Sequence, residues 1–193
     1  MSPPKRLIVG VSGASGAVLG VRLLEVLAQI DSVETHLVVS PAARITLADE
    51  TNCSLKEVEA LADVVYSPQD VGAAIASGSF RTHGMIVIPC SIKTLSAVAH
   101  CYASDLLSRA ADVTLKEGRP LLLVVRETPL HLGHLRLMAH AAEMGAVIFP
   151  PVPAFYARLS SLDEMVDNIV GRALARLGVD NELYMRWRGL GSK

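Results

Sequence analysis

Leu7-Ile8-Val9-Gly10-Val11-Ser12-Gly13-Ala14-Ser15-Gly16 is the stretch that decides the fold. Its first five residues form an apolar run, as expected of a strand buried on both faces rather than one that alternates between core and solvent. Gly13 and Gly16 break the run. From about Ala17 to Gln29 the polar residues Arg22, Glu25 and Gln29 fall on one stripe at helical spacing, and almost everything between them is apolar. A buried strand, a glycine turn and an amphipathic helix therefore open the chain.

The same alternation recurs downstream. A second strand is predicted over residues 34–39, ending at Ser40-Pro41, with helices at about 42–50 and 55–62. A weak strand at Val64-Val65-Tyr66 and a helix from about Val71 to Ala76 follow. Met85 to Pro89 reads as a strong strand that turns through Cys90-Ser91-Ile92-Lys93-Thr94 into a helix, with another helix from about Ala103 to Lys116. Leu121 to Val125 is a further strand, then come a helix from His131 to Met144, a short strand from Ala146 to Phe149 and a last helix from about Leu162 to Leu177. Strands alternating with helices imply an α/β fold in three layers, an open and mostly parallel sheet with helices on both faces.

Composition agrees with a folded enzyme-sized domain. At about 150 residues per domain, 193 residues predict one domain spanning 1–193. A hydrophobic content of 51% against 19% charged residues excludes a disordered chain. Lys and Arg number 18 against 19 Asp and Glu, a net charge of −1, and the basic residues are dispersed. That argues against nucleic acid or an anionic membrane as partner, since either needs a concentrated basic face. Cys53, Cys90 and Cys101 are odd in number and lack CxxC spacing, so neither a disulfide framework nor a zinc site is expected. The apolar run at 7–11 is too short for a signal peptide, and no run approaches the ~20 residues of a membrane span. A cytoplasmic location is expected.

In open parallel sheets the ligand crevice lies beyond the carboxyl ends of the strands. Those ends carry residues 13–16, Ser40, residues 90–94, Arg126-Glu127 and residues 150–156, so polar or glycine-bearing loops converge on one edge. Glycines between strand and helix let an anion approach the helix N-terminus. The spacing is G-x-x-G-x-x-G rather than the dinucleotide G-x-G-x-x-G, and no P-loop lysine follows. Ser40-Pro41 stands where a dinucleotide binder places an acid. A mononucleotide with one phosphate fits better than NAD or ATP. Taken alone, the glycine loop is equally compatible with a ligand-free turn, and the other polar loops tip the balance.

Lys116, Arg126, Arg172 and Arg109 are candidates for a second phosphate, Lys116 and Arg109 lying seven apart on one predicted helix face. Each taken singly reads as solvated surface. Glu127 beside Arg126 is placed for general acid–base work, with Glu50 a weaker candidate. The Tyr156 hydroxyl suits a phosphate, or equally a satisfied aromatic contact. His131, His134 and His140 share a helix without a carboxylate or cysteine to complete a metal set, and there is no Asp-rich motif, so no metal is expected. Cys90 reads as a small core residue.

With these residues in view, the chain resembles the flavin prenyltransferase family, the UbiX-type enzymes. The resemblance is carried by Val11-Ser12-Gly13-Ala14-Ser15-Gly16-Ala17, by Pro89-Cys90-Ser91-Ile92-Lys93-Thr94-Leu95-Ser96, by residues 109–117, by Val125-Arg126-Glu127-Thr128-Pro129-Leu130 and by residues 150–156. It runs from about residue 5 to Arg186-Trp187, nearly the whole chain. It implies a flavodoxin-like Rossmann fold that binds FMN. It also implies that a dimethylallyl group is joined from dimethylallyl monophosphate to N5 and C6 of reduced FMN, without a metal. The prenylated FMN then serves UbiD-type decarboxylases in ubiquinone synthesis or aromatic-acid metabolism.

On matching positions, the resemblance gives Gly13, Ala14, Ser15, Ser40, Ser91, Ile92, Lys93, Thr94 and Arg126 to FMN. Lys116, Arg126, Tyr156 and Arg172 go to the prenyl phosphate, with Arg109 a further candidate. Glu127 acts as acid and base, Ser15 and Glu50 relay protons, and Trp187 with Tyr156 shields the allylic cation. Members of the family assemble as homo-dodecamers with sites at subunit contacts. Two departures stand out. Lys93 occupies a position where some relatives carry glycine, and residues 188–193 form only a short tail, which limits any lid. Two other readings are a flavin-dependent decarboxylase of the related cysteine-decarboxylase group, which calls for a histidine in the loop after the first helices, and a non-catalytic FMN carrier subunit.

Overall fold

The computed structural model describes residues 3–187 and 189, so the tail reading at 188 and 190–193 falls outside the described residues. The chain divides into two compact units, Met1–Pro151 and Val152–Lys193.

In the first unit the strands are β1 (Lys5–Val11), β2 (Val33–Val39), β3 (Val64–Tyr66), β4 (Gly84–Cys90), β5 (Leu121–Val125) and β6 (Val147–Ile148). Its helices are α1 (Ala17–Leu27), α2 (Pro41–Glu50), α3 (Leu55–Glu59), α4 (Ile92–Ala99), α5 (Leu106–Lys116) and α6 (Leu132–Glu143). The strands form one sheet in the order β3-β2-β1-β4-β5-β6. Every pairing is parallel, with Val9 set between Leu37 and Ile86. The chain winds outward from β1 to β3 and then returns to lay β4 on the other side of β1. That reversal opens a crevice at the carboxyl ends of β1 and β4.

Apolar runs in the strands follow from cover on both faces. Ile8, Met85, Val87, Leu121 and Leu123 join a core with residues of α4, α5 and α6. The alternating partners Leu7, Val9, Ile86, Ile88, Leu122 and Val124 are just as deeply buried. On that second side α1 lies directly against the sheet. A Cβ on Gly20 would stand 2.7 Å from the Ile88 carbonyl oxygen and 3.4 Å from Val11 Cγ2, so a glycine permits this approach.

Several predicted elements are shorter than expected. The helix expected over 71–76 is a single 3₁₀ turn at Ala74–Ala76, because the segment between Pro68 and Gly78 is too short and glycine-interrupted for an amphipathic helix. The helix expected from Ala103 begins at Leu106, where Asp105 accepts the Ser108 N–H and the Ser108 hydroxyl reaches back to the cap. The strand expected over 146–149 keeps only Val147 and Ile148 in register with Leu122 and Leu123, and Pro150-Pro151 ends it.

The second unit contains a 3₁₀ turn at Phe155–Ala157 and α7 (Leu162–Arg176). Ser161 caps α7 by accepting the Glu164 N–H. The chain then doubles back: Asn181 donates to the carbonyl of Gly171 at 3.0 Å. A Cβ on Gly171 would come within 2.7 Å of the Asn181 side chain.

Candidate active site

Backbone and hydroxyl groups join the loops at the carboxyl edge. Ser12, 1% exposed, donates its hydroxyl to the Pro89 carbonyl at 3.0 Å and accepts the Ser91 N–H at 2.8 Å. The Ser40 N–H donates to Val11, and the Arg126 N–H to Cys90. The turns after β1, β2, β4 and β5 are therefore tied into one rim. A cleft of about 310 Å³ opens there, lined among others by Gly13, Ser40, Ser91, Lys93, Thr94 and Asp105. Ser40 accepts the Ala43 N–H to start α2, and Ser91 accepts the Thr94 N–H to start α4. A Cβ on Gly13 would meet that of Ala42 at 2.4 Å, so the glycine turn sits against α2 and forms one wall.

The glycine turn was expected to present the start of α1 to an external anion. The structure corrects this, since the anion there is the protein's own Glu50. Its Oε2 accepts the N–H groups of Gly16 at 2.7 Å and Ala17 at 2.9 Å. Partial burial opposes charge on Glu50, but the hydrogen bonds from Ala17, the Ser15 hydroxyl and Gly16, with the Arg126 charge nearby, outweigh it and hold the carboxyl below its ordinary range. The start of α4, by contrast, faces the cleft. Its first N–H groups have no acceptor within the helix, and its cap Ser91 lines the cleft.

Glu50, Ser15 and Arg126 are thus brought together, as are Gly13, Ser40, Ser91, Lys93 and Thr94 along the cleft. Glu127 is exposed beside Arg126, and its Oε1 accepts the N–H of Thr128 at 3.0 Å. Lys116 and Arg109 do not join the rim of their own sheet. Lys116 ends α5 just ahead of β5, at the amino edge, a strand's length from Arg126. Arg109 donates to the Ala76 carbonyl and pairs with Asp112 at 2.8 Å. In the second unit Tyr156 meets Trp187 edge to face at 5.4 Å, and Arg172 lies over the Tyr184 ring at 5.5 Å. Burial pushes the Cys90 thiol up to about 12, so it stays a neutral core thiol. Among the described residues no group of three or more His, Cys, Asp or Glu could hold a metal, and no helix is long and apolar enough to cross a membrane.

Two contributions escaped sequence reasoning. The buried Ser12 hydroxyl that ties β1 to β4 carries no local signal. Asp105, on the cleft wall, does, since an Asp three residues before a Ser is a helix-start spacing.

An open parallel sheet with a serine-capped cleft at its reversal point, and no acid at the end of β2, defines a mononucleotide-binding protein of the flavodoxin-like class. Residues 1–174 match the family model described as Flavoprotein. The chain is 61% identical over 187 residues to flavin prenyltransferase UbiX of Escherichia coli K12, covering 96% of this chain and 99% of that one. It is 55% identical to flavin prenyltransferase UbiX of Thauera aromatica, with 95% and 94% covered. A crystal structure of AnUbiX (PadA1) with FMN and dimethylallyl pyrophosphate superposes with a TM-score of 0.94 at 48% identity, covering 96% of this chain and 98% of that one. A dodecameric FMN-dependent UbiX-like decarboxylase from Escherichia coli O157:H7 gives 0.93 at 50% identity, with 95% and 100% covered. The chain belongs to the flavoprotein family and, within it, to the UbiX-like flavin prenyltransferases.

Proposed function

We infer that this chain joins a dimethylallyl group from a dimethylallyl phosphate to reduced FMN and so makes prenylated FMN for UbiD-type decarboxylases. The observation that carries the reading is the Ser15–Glu50–Arg126 group at the rim of a serine-capped cleft, in a chain 61% identical to the Escherichia coli enzyme. Residues 1–193 are taken as one FMN-binding domain, supported by a family match that runs through residue 174. The dodecameric relative supports the same assembly here. Three free thiols support a reducing compartment, the cytoplasm.

FMN fits the cleft because Gly13 admits no side chain there and because Ser40 at the start of α2, with Ser91 and Thr94 at the start of α4, lines it with hydroxyls. When bound and reduced, it supplies N5 and C6 as the carbon-accepting atoms. Ala14 and Ile92 belong to the two turns that hold it, and Arg126 reaches it from β5. Ser15 donates its hydroxyl to Glu50 and keeps a lone pair to accept a flavin N–H. It passes that proton to Glu50 and keeps its own oxygen neutral throughout. Glu50 is a weak base because its pKa is depressed, which suits it to pass a proton on rather than retain it.

Arg126 neutralises the departing phosphate as the allylic C–O bond breaks and the C–N bond forms. Glu127 donates a proton to that phosphate. The liberated phosphate would return that proton to the alkene, and Glu127 would then accept the proton that C6 gives up as the one new C–C bond closes the ring. Tyr156 and Arg172 hold the phosphate and Trp187 shields the cation, roles supported by the motif resemblance. Lys116, at the far edge of its own sheet, is supplied to a site by a neighbouring copy, while Arg109, in the first turns of α5 and paired with Asp112, is a further candidate for the same phosphate.

The test is anaerobic incubation of the protein with reduced FMN and dimethylallyl monophosphate or, in a second arm, the diphosphate. The recovered flavin is expected to be heavier by one isoprene unit. Unchanged flavin with carbon dioxide released from an acid substrate would favour the decarboxylase reading. A Glu127→Gln variant that still supports a UbiD-type decarboxylase would favour the carrier.

A further inference from the structure

Lys116 does not reach solvent as a lone cation. Its ammonium is hydrogen-bonded to Glu117 Oε1, and Arg119 stands 3.9 Å from the other oxygen of that carboxylate. Arg119 is itself fixed, with a side chain only 15% exposed. It donates to the carbonyls of Phe80 at 2.9 Å and Gly78 at 2.7 Å, and to the Thr82 hydroxyl at 3.3 Å. The Lys116–Glu117 pair lies across bare backbone: a Cβ on Gly78 would fall 2.1 Å from Glu117 Oε1 and 2.8 Å from Lys116 Nζ. The turn ahead of β4 thus anchors Arg119, Arg119 steadies Glu117, and Glu117 holds Lys116. The Lys116 contact, then its charge, keep the Glu117 carboxyl below its ordinary range, so it stays anionic at neutral pH.

We propose that Glu117, steadied by Arg119, is a positioning residue that competes with the prenyl donor's phosphate for Lys116, setting how tightly the donor is held and how readily product phosphate leaves. This rests on reading Lys116 as a phosphate ligand supplied by a neighbouring copy. The Lys116 and Glu117 side chains are 46% and 34% exposed, so water screens the pair and an exchange of partners costs little. A dianionic phosphate outbids one carboxylate. After transfer, however, inorganic phosphate must leave a cage of fixed cations, and a returning carboxylate gives Lys116 somewhere else to go.

Glu117→Gln keeps the side chain's size and removes its charge. It is expected to lower both KM for dimethylallyl monophosphate and the inhibition constant of inorganic phosphate, up to about fivefold, the upper range of an exposed ion pair, with an unchanged melting temperature. Lys116→Ala is expected to abolish that effect when combined with it. A purely structural role would instead raise KM and lower the melting temperature, and that result overturns the proposal. So does an unchanged phosphate inhibition constant in Glu117→Gln while Lys116→Ala weakens inhibition. If Lys116→Ala itself leaves phosphate inhibition unaltered, the assignment of Lys116 to the prenyl phosphate fails first. Should Glu117→Gln not fold, Glu117→Asp, which draws the carboxylate back by one methylene, is expected to shift both constants the same way to a lesser degree. No shift in that variant also overturns the proposal.

Discussion

Glu50 stands at the end of α2, a position where most glutamates face solvent, yet its carboxylate closes the first turn of α1 across the glycine loop. Nothing in the sequence near residue 50 announces this, because the two partners are 34 residues apart and meet only once the sheet has formed. The consequence for stability has a definite sign. The folded-state pKa is depressed, so the ionised carboxylate stabilises the fold above its unfolded value, near 4.5, and that contribution is lost as pH falls through the lower folded value. Glu50→Gln is therefore expected to cost about 1 kcal/mol at neutral pH, the scale of a helix cap in the positive end of a helix dipole. The gap to the parent should close in melting curves taken at progressively lower pH below 4.5. FMN should still bind, while the prenyl-transfer rate falls, because Ser15 no longer has an anionic proton acceptor. A pH-independent gap would mean that Glu50 acts through shape alone.

Among the elements, those with long apolar runs or strong helical periodicity were legible in the sequence, and those shaped by tertiary contact were not. β1, β2, β4 and β5 announce themselves because both faces of each strand are covered. The 3₁₀ turn at residues 74–76 does not, since its short, glycine-interrupted segment carries no clear period and its last carbonyl is held by Arg109 of α5. Gly20 shows how the same limits apply to an element's placement. Helix propensity alone says that alanine there should stabilise α1 by up to about 1 kcal/mol. The added Cβ, however, would stand 2.7 Å from the Ile88 carbonyl, a backbone atom of a central strand that cannot rotate away. Overpacking of this kind costs about 1–3 kcal/mol, so the clash outweighs the propensity. Gly20→Ala is expected to lower the unfolding free energy in a denaturant titration. A stabilised variant would show that α1 can shift on the sheet.

At the scale of the whole molecule, topology decides which candidate residues can share a site. Motifs gave Ser15, Ser40, Ser91 and Arg126, and the parallel topology alone carries these to one edge. The seven-residue spacing of Arg109 and Lys116 pointed to a helix face and was silent on which end of the sheet that helix delivers. Because α5 runs back toward the amino edge, Lys116 and Arg126 of one chain lie a strand's length apart and cannot grip the same phosphate. If the assembly supplies Lys116 from a neighbouring copy, impaired chains should repair one another. Lys116→Ala and Arg126→Ala are each expected to cut prenyl transfer at limiting donor to a small but measurable fraction, mainly through a raised KM. In mixed oligomers formed by co-expressing them in equal amounts, a site is intact when its own chain has Arg126 and its neighbour has Lys116. Random mixing in a closed symmetric assembly gives that outcome at about a quarter of the sites. Activity recovered to that level, with none regained on mixing the two separately assembled proteins, places the two cations on different chains. If co-expression restores nothing, both must act within one chain, and the position of Lys116 at the amino edge is then irrelevant to the reaction.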